Sequence, residues 1–317
     1  MKIILFLLLS TILRNGLTSN IENQTKPLED FCHFSDPIVP FSDPIKEFVS
    51  KSKLLETKLS DFKPGKELHI TVVLTGYNTA LWYKKNLASI YGQDYKNYCV
   101  VYVDDASTDN TGALVAQYVK EQKQENRTIV ISNNTNQDTC ANWYKAITPL
   151  DPNTIIVSID ADDWLAKPSV FSLLNKVYSQ YNALMTYGSF QKYPHPHKKS
   201  FCSEIPNSVI ENNSIRSYKW VTSHLRTFKA GLFQRIKKED LFYQDAFFKR
   251  APDLGLMFPM LEMAGKRAQF IPDILHIYNC ATIMNEFKIY DTKDIKTADN
   301  FIRNKERYNP LLDDASF

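Results

Sequence analysis

The string TIIVSIDADDWLAKP, residues 154–168, sets the fold. Ile155, Ile156 and Val157 form an apolar run that resumes at Ile159, the pattern of a strand covered on both faces. The run stops in three carboxylates, Asp160, Asp162 and Asp163, where the strand should emerge, and Pro168 then opens a helix over residues 169–178. In open α/β sheets ligands sit beyond the carboxyl ends of the strands. Acidic side chains crowded there repel one another unless something positive lies between them, and hard cations prefer oxygen ligands. Asp160 and Asp162 are therefore expected to face a divalent metal carrying a diphosphate.

Upstream the same grammar repeats. ITVVL (residues 70–74) is a strand broken by Thr75-Gly76-Tyr77-Asn78, and residues 81–91 form an amphipathic helix with Leu81, Leu87, Ile90 and Tyr91 inward. A second strand, residues 99–103, ends in Asp104-Asp105, after which Ser107 or Asp109 can cap a helix over residues 111–121. A third strand (129–132) and a third helix (139–147) lead to the strand of the opening string. Strand alternating with helix at this spacing predicts an α/β fold, a mostly parallel sheet flanked by helices on both faces. Two strand ends, at Asp104 and Asp160, then carry acid clusters on one edge.

The chain of 317 residues is 44% hydrophobic, which suffices for a sizeable core. Its net charge of +3 includes Lys2 and Arg14 of the leader, and no basic stripe with interleaved aromatics stands out, so nucleic acid is not an expected partner. There is no glycine-rich phosphate loop. Any phosphate must be held another way, which favours a metal. Residues 1–19 read as a secretory signal: Lys2, then an apolar run of about eleven residues, against the roughly twenty a membrane span needs. This places the protein in a secretory lumen or outside the cell, or anchors it to a membrane if the leader is retained; no firm membrane span follows. Residues 20–66 read as a proline-bearing stem with a helix over 46–59, and residues 287–317 as a polar tail forming a surface helix or a mobile end. The five cysteines lack metal-ligand spacing, and sequence alone assigns no disulfide. Four glycosylation sequons, at Asn23, Asn126, Asn133 and Asn212, are close to the number chance supplies.

Taken together, VVLTGYN, SIYGQDYKNYCVVYVDDASTDNTG and IVSIDADDWLAKP resemble family 2 glycosyltransferases of the GT-A fold, and TSHLRTFKAGLF and APDLGLMFPMLEMAGKRAQFIPDILHIYN are similar to a bacterial-type branch of it. The resemblance runs from about residue 70 to 285, within a domain bounded at 67–286. It implies a nucleotide-diphospho-sugar transferase: Thr75 and Tyr77 lining base and ribose, Asp105 accepting from a uracil-like base, and Asp160 approaching the ribose or the metal. Asp162 would bind Mn²⁺ or Mg²⁺, and Asp253 would be the general base of an inverting transfer. Asp253 at a helix start also suits a simple cap.

His224 and Arg226 form a further cluster, suited to sugar hydroxyls and a diphosphate oxygen or to a structural Arg–Asp pair and a core histidine. Gly188, after Tyr187, allows close backbone approach near the donor sugar; His276 reads as a structural strand histidine. The donor is expected to be a nucleotide sugar, UDP-linked by preference, and the acceptor a carbohydrate, lipid or protein hydroxyl. Two alternatives stand beside this reading. One is a non-catalytic carbohydrate- or nucleotide-binding descendant. The other, a sugar nucleotidyltransferase, needs a glycine- and arginine-rich stretch where GYNTALWYKK stands.

Overall fold

The computed structural model describes residues 67–198, 200–282, 291–312 and 317, all within the compact unit 50–317. The expected leader, the stem and its helix lie outside the described residues. In chain order the elements are β1 (Ile70–Gly76), α1 (Tyr83–Tyr91), β2 (Tyr98–Asp104), α2 (Thr111–Glu121), β3 (Thr128–Ser132), α3 (Asp138–Ile147), β4 (Ile155–Asp160), β5 (Trp164–Leu165), α4 (Val170–Tyr181), β6 (Met185–Tyr193) and α5 (Asn207–Glu211). They continue with β7 (Ser223–Lys229), α6 (Ala230–Gln234), β8 (Phe242–Tyr243), β9 (Ala246–Phe247), α7 (Pro252–Ala264), β10 (Ala268–Asn279) and α8 (Thr292–Arg303).

One sheet runs in the order β3-β2-β1-β4-β7-β6-β10-β5. The alternation of the first half produces parallel β1–β2, β1–β4 and β2–β3 pairs, as expected. β7 breaks the pattern, lying antiparallel to both β4 and β6, and β10 then resumes parallel to β6. The sheet is mainly parallel, with helices on both faces. Side-chain alternation explains why: Val73, Val101 and Ile156 point into one core with α3, α6 and α7. Val72, Leu74, Val100 and Val157 point into the other, against residues of α1, α2 and α4.

Leu81 corrects one detail. It is 67% exposed, because α1 begins only at Tyr83 and Leu81 lies in the preceding turn. The cap of α2 differs too: Asn110 occupies the cap position without a side-chain bond, and Asp109 Oδ1 accepts from Thr111 N at 3.1 Å. In the charged stretch after residue 287, α8 buries Ala298 and Ile302 in the first core. Arg216 fastens it, donating from Nη1 to Ile302 O (2.6 Å) while gripping Glu262 of α7 with Nε (2.6 Å) and Nη2 (2.9 Å).

Candidate active site

Register places the acid-ended strands together. Gly76 pairs with Asp104 and Thr75 with Asp160, so β2 and β4 flank β1 and end at the same rim. At the usual spacing the two acid clusters are about 10 Å apart across β1. Asp105 is buried and already held: Oδ1 accepts from Asn133 Nδ2 (2.7 Å) and Gln137 N (2.9 Å), and Oδ2 from Asp138 N (3.0 Å). Thr75 is buried with its hydroxyl unpartnered, and Tyr77 is half-buried beside it.

The 160–163 turn is clamped from two sides. Asn86 Nδ2 donates to Asp163 O (2.7 Å) and Asp160 O (3.3 Å), and Asn279 Nδ2 donates to Asp162 O (3.1 Å). Asp163 is fully engaged below the rim, accepting from Asn279 N (2.7 Å) and His276 Nε2 (2.8 Å). Asp160 and Asp162 stay half-buried at the surface of the turn. Both carboxyls are pushed up to about 7, by burial first. Arg226 opposes the shift at Asp160, where neighbouring carboxylates add to it; at Asp162 the Asp163 charge adds repulsion. Such a donor set, two crowded carboxylates short of positive charge, fits a hard divalent cation.

A second grouping behaves differently. Asp163, His224 and His276 bring ligand atoms within 4.8 Å of one another. The two imidazoles, however, stack with centroids 4.3 Å apart and planes at 8°, so their in-plane lone pairs run parallel rather than converging. Arg226 Nη2 also lies 3.0 Å from the His224 ring nitrogens. Burial, then Arg226, then His276 hold His224 well below the ordinary imidazole value, and His276 is lowered to about 3, by burial first. Two neutral rings beneath the rim support Arg226 and Asp163.

Arg226, 4% exposed, joins the two sides of the site. Its Nη1 lies 2.5 Å from Asp253 Oδ1 at the first turn of α7, and its charge also acts on Asp160 and Asp163. Asp253 keeps 37% side-chain exposure, so the pair is half open to solvent. This is the Arg–Asp pairing that the sequence left open, made by the residue expected to act as base. At Gly188 a Cβ would meet Ile271 O at 2.9 Å, so the backbone it approaches closely is that of β10 in the same sheet. Asn86, Asn133, Gln137 and Asn279 were not singled out in the sequence. Only Asn133 carried a signal, as a sequon, and its amide is bonded to Asp105. A cavity of about 360 Å³ lies between the β8–β9 hairpin with the residues that follow it and α8, lined by Tyr243, Phe247, Lys249 and Arg250 among others. Lys249 also reaches Asp138 at 3.3 Å.

With this geometry in hand, the family described as glycosyl transferase family 2 matches residues 71–247, more than half of the chain. The chain belongs to glycosyltransferase family 2. It is similar to glycosyltransferase GlyG of Streptococcus pneumoniae serotype 4 (27% identical over 240 residues, 71% of this chain and 76% of GlyG). It also resembles glycosyltransferase GlyA of the same organism, 26% identical over 187 residues, covering 53% of this chain but only 25% of GlyA. The chain thus spans about a quarter of that relative's length. Among solved structures, S. aureus TarS 1-349 in complex with UDP-GlcNAc superposes with a TM-score of 0.58 at 17% identity, over 74% of this chain and 65% of that one. The same TarS segment in complex with UDP gives 0.52 at 17% identity, over 67% and 60%. These likenesses show that the family 2 chain has the GT-A fold.

Proposed function

We propose that this family 2 glycosyltransferase moves a sugar from a nucleotide-diphosphate donor, UDP-linked by preference, to an acceptor hydroxyl with inversion and with the help of a divalent metal. The observation that carries the reading is the rim itself: Asp105 and the Asp160/Asp162 pair follow the ends of the two strands that flank β1, and Arg226 pairs with Asp253 while its charge also acts on Asp160. TarS, of the same fold, is known with UDP-GlcNAc and UDP bound, which supports the choice of donor.

In this reading Asp105, fixed by three donors, offers its remaining lone pair to the base, and the free Thr75 hydroxyl lies where base and ribose would rest. Asp162 and Asp160 would hold the cation, which would supply Lewis-acid neutralisation of the charge growing on the departing diphosphate. Asp253 accepts the proton of the acceptor hydroxyl on the opposite face of the sugar. The cavity beside Lys249 and Arg250 lies on the segment leading into Asp253, and the acceptor approaches from there. We keep residues 67–286 as the transferase domain, after a stem and a signal peptide that places it in a secretory lumen. No described helix is long and apolar enough to cross a membrane.

Calorimetric titration of UDP with and without Mn²⁺, on wild type and Asp162→Ala, tests the reading. Metal-dependent binding lost in the variant supports it. Absent or metal-independent binding would favour the binding-module alternative, and a donor screen with purified protein then names the sugar.

A further inference from the structure

At the opposite rim of the sheet, about 13 Å along β1 from Thr75 to Thr71, a second chemical grouping stands apart from the transfer site. His69 immediately precedes β1, and Asn97 immediately precedes β2, where Thr71 pairs with Cys99. His69 Nδ1 lies 3.0 Å from Asn97 Oδ1, and His69 Nε2 lies 3.5 Å from Cys99 Sγ. Thr71 Oγ1 is 3.3 Å from the same sulfur.

One tautomer of His69 suits these partners. Asn97 Nδ2 donates to Glu67 O (2.8 Å), an atom that can only accept, so the Asn97 carbonyl oxygen must face His69. The Nδ1–H tautomer of His69 supplies that oxygen with a donor and leaves the lone pair of Nε2 facing the thiol. In that arrangement Cys99 S–H faces Nε2 as the donor, and the Thr71 hydroxyl lies within reach of the same sulfur. Nucleophile, base and orienting amide are in the order a cysteine nucleophile requires.

We propose that Cys99 is a reactive thiol and a modification site, taking small-molecule disulfides by thiol–disulfide exchange with His69 as base and Asn97 as its positioning residue. The Cys99 proton passes to His69 Nε2 and the thiolate attacks one sulfur of the disulfide. The S–S bond breaks, a mixed disulfide forms on Cys99, and the departing thiolate leaves with the proton as free thiol. Acyl transfer is not favoured: the strand backbone around Thr71 and Cys99 is taken up by β1–β2 pairing, and no oxyanion donors converge on the sulfur among the described residues. Exchange at sulfur needs none. Cys140 is buried with its thiol pushed up to about 12, burial holds Cys202 at about 11, and Cys280 is the half-buried reference.

The test treats the full-length chain with glutathione disulfide and follows each cysteine by peptide-resolved mass spectrometry. Cys99 is expected to form its adduct at least about tenfold faster than Cys280. His69→Gln should bring that rate down to the Cys280 level with thermal unfolding unchanged, and free imidazole should restore it in His69→Gly. Asn97→Ala should slow the adduct and Asn97→Asp recover it. A wild-type Cys99 no faster than Cys280, or a rate indifferent to His69 or imidazole, would overturn the proposal. UDP binding, at the far rim, is read alongside and should not change on modification.

Discussion

Arg226 is one buried cation serving carboxylates from β4 and α7, and its neighbours' titration follows from that position. Asp253→Asn keeps shape and burial but removes the proposed proton acceptor; turnover should fall roughly 10²- to 10⁴-fold with UDP affinity unchanged, read by steady-state kinetics beside calorimetry. Asp162→Asn has an opposite pair of effects. Its folded carboxyl titrates at about 7 against an ordinary 3.8, so between those pH values the folded state binds more protons than the unfolded one. Stability of the metal-free protein therefore falls as pH rises through that window. The variant should match wild type near pH 4, exceed it at pH 8 by about 1–2 kcal/mol after allowance for solvent access, and lose metal-dependent UDP binding. Denaturant melts at the two pH values check this. Asp160, Asp162 and Asp105 were legible because a buried run ending in acids is a local pattern. The Arg226–Asp253 pair was legible only as one of two options, since its partners come from separate elements and meet through tertiary packing alone.

At the scale of elements, strands and helices of the first half were readable to within a few residues because each carries its own periodicity and its own turn. The direction of β7 was not, since nothing in SHLRTFK says which way it will run between β4 and β6. Gly188 shows the same limit: the missing side chain was visible, but the neighbour that needs the space is a carbonyl of β10, a long-range fact. Gly188→Ala would push a Cβ to 2.9 Å from Ile271 O, backbone that cannot swing aside. A loss of about 1–3 kcal/mol in urea unfolding is expected.

Across the whole molecule, the C-terminal segment is tied into the body by contacts that composition does not announce. Arg303 Nη1 donates to Arg216 O (2.6 Å), Tyr308 N to Glu262 Oε2 (3.0 Å), and Asn153 Nδ2 to Phe317 O (2.7 Å). Deleting residues 291–317 would uncover Ile302's pocket and strip Arg216 of an acceptor, so the cooperative thermal transition should be lost. Glu262→Gln, which leaves Arg216 buried without its counter-charge, should cost about 3–5 kcal/mol by the same calorimetric scan. The rim has a further consequence for how ligands arrive. Asp160, Asp162, Asp163 and Asp253 face one guanidinium and two neutral imidazoles, while the nearby Lys85 ammonium is spent 3.8 Å over the Trp164 ring. Once Asp160 and Asp162 have lost their protons, above about pH 7, approaching ions should meet a negative mouth: a bare nucleotide should be turned away and a cation drawn in, the association rate of each responding oppositely to ionic strength, with the field fading beyond about 10 Å at 0.1 M salt.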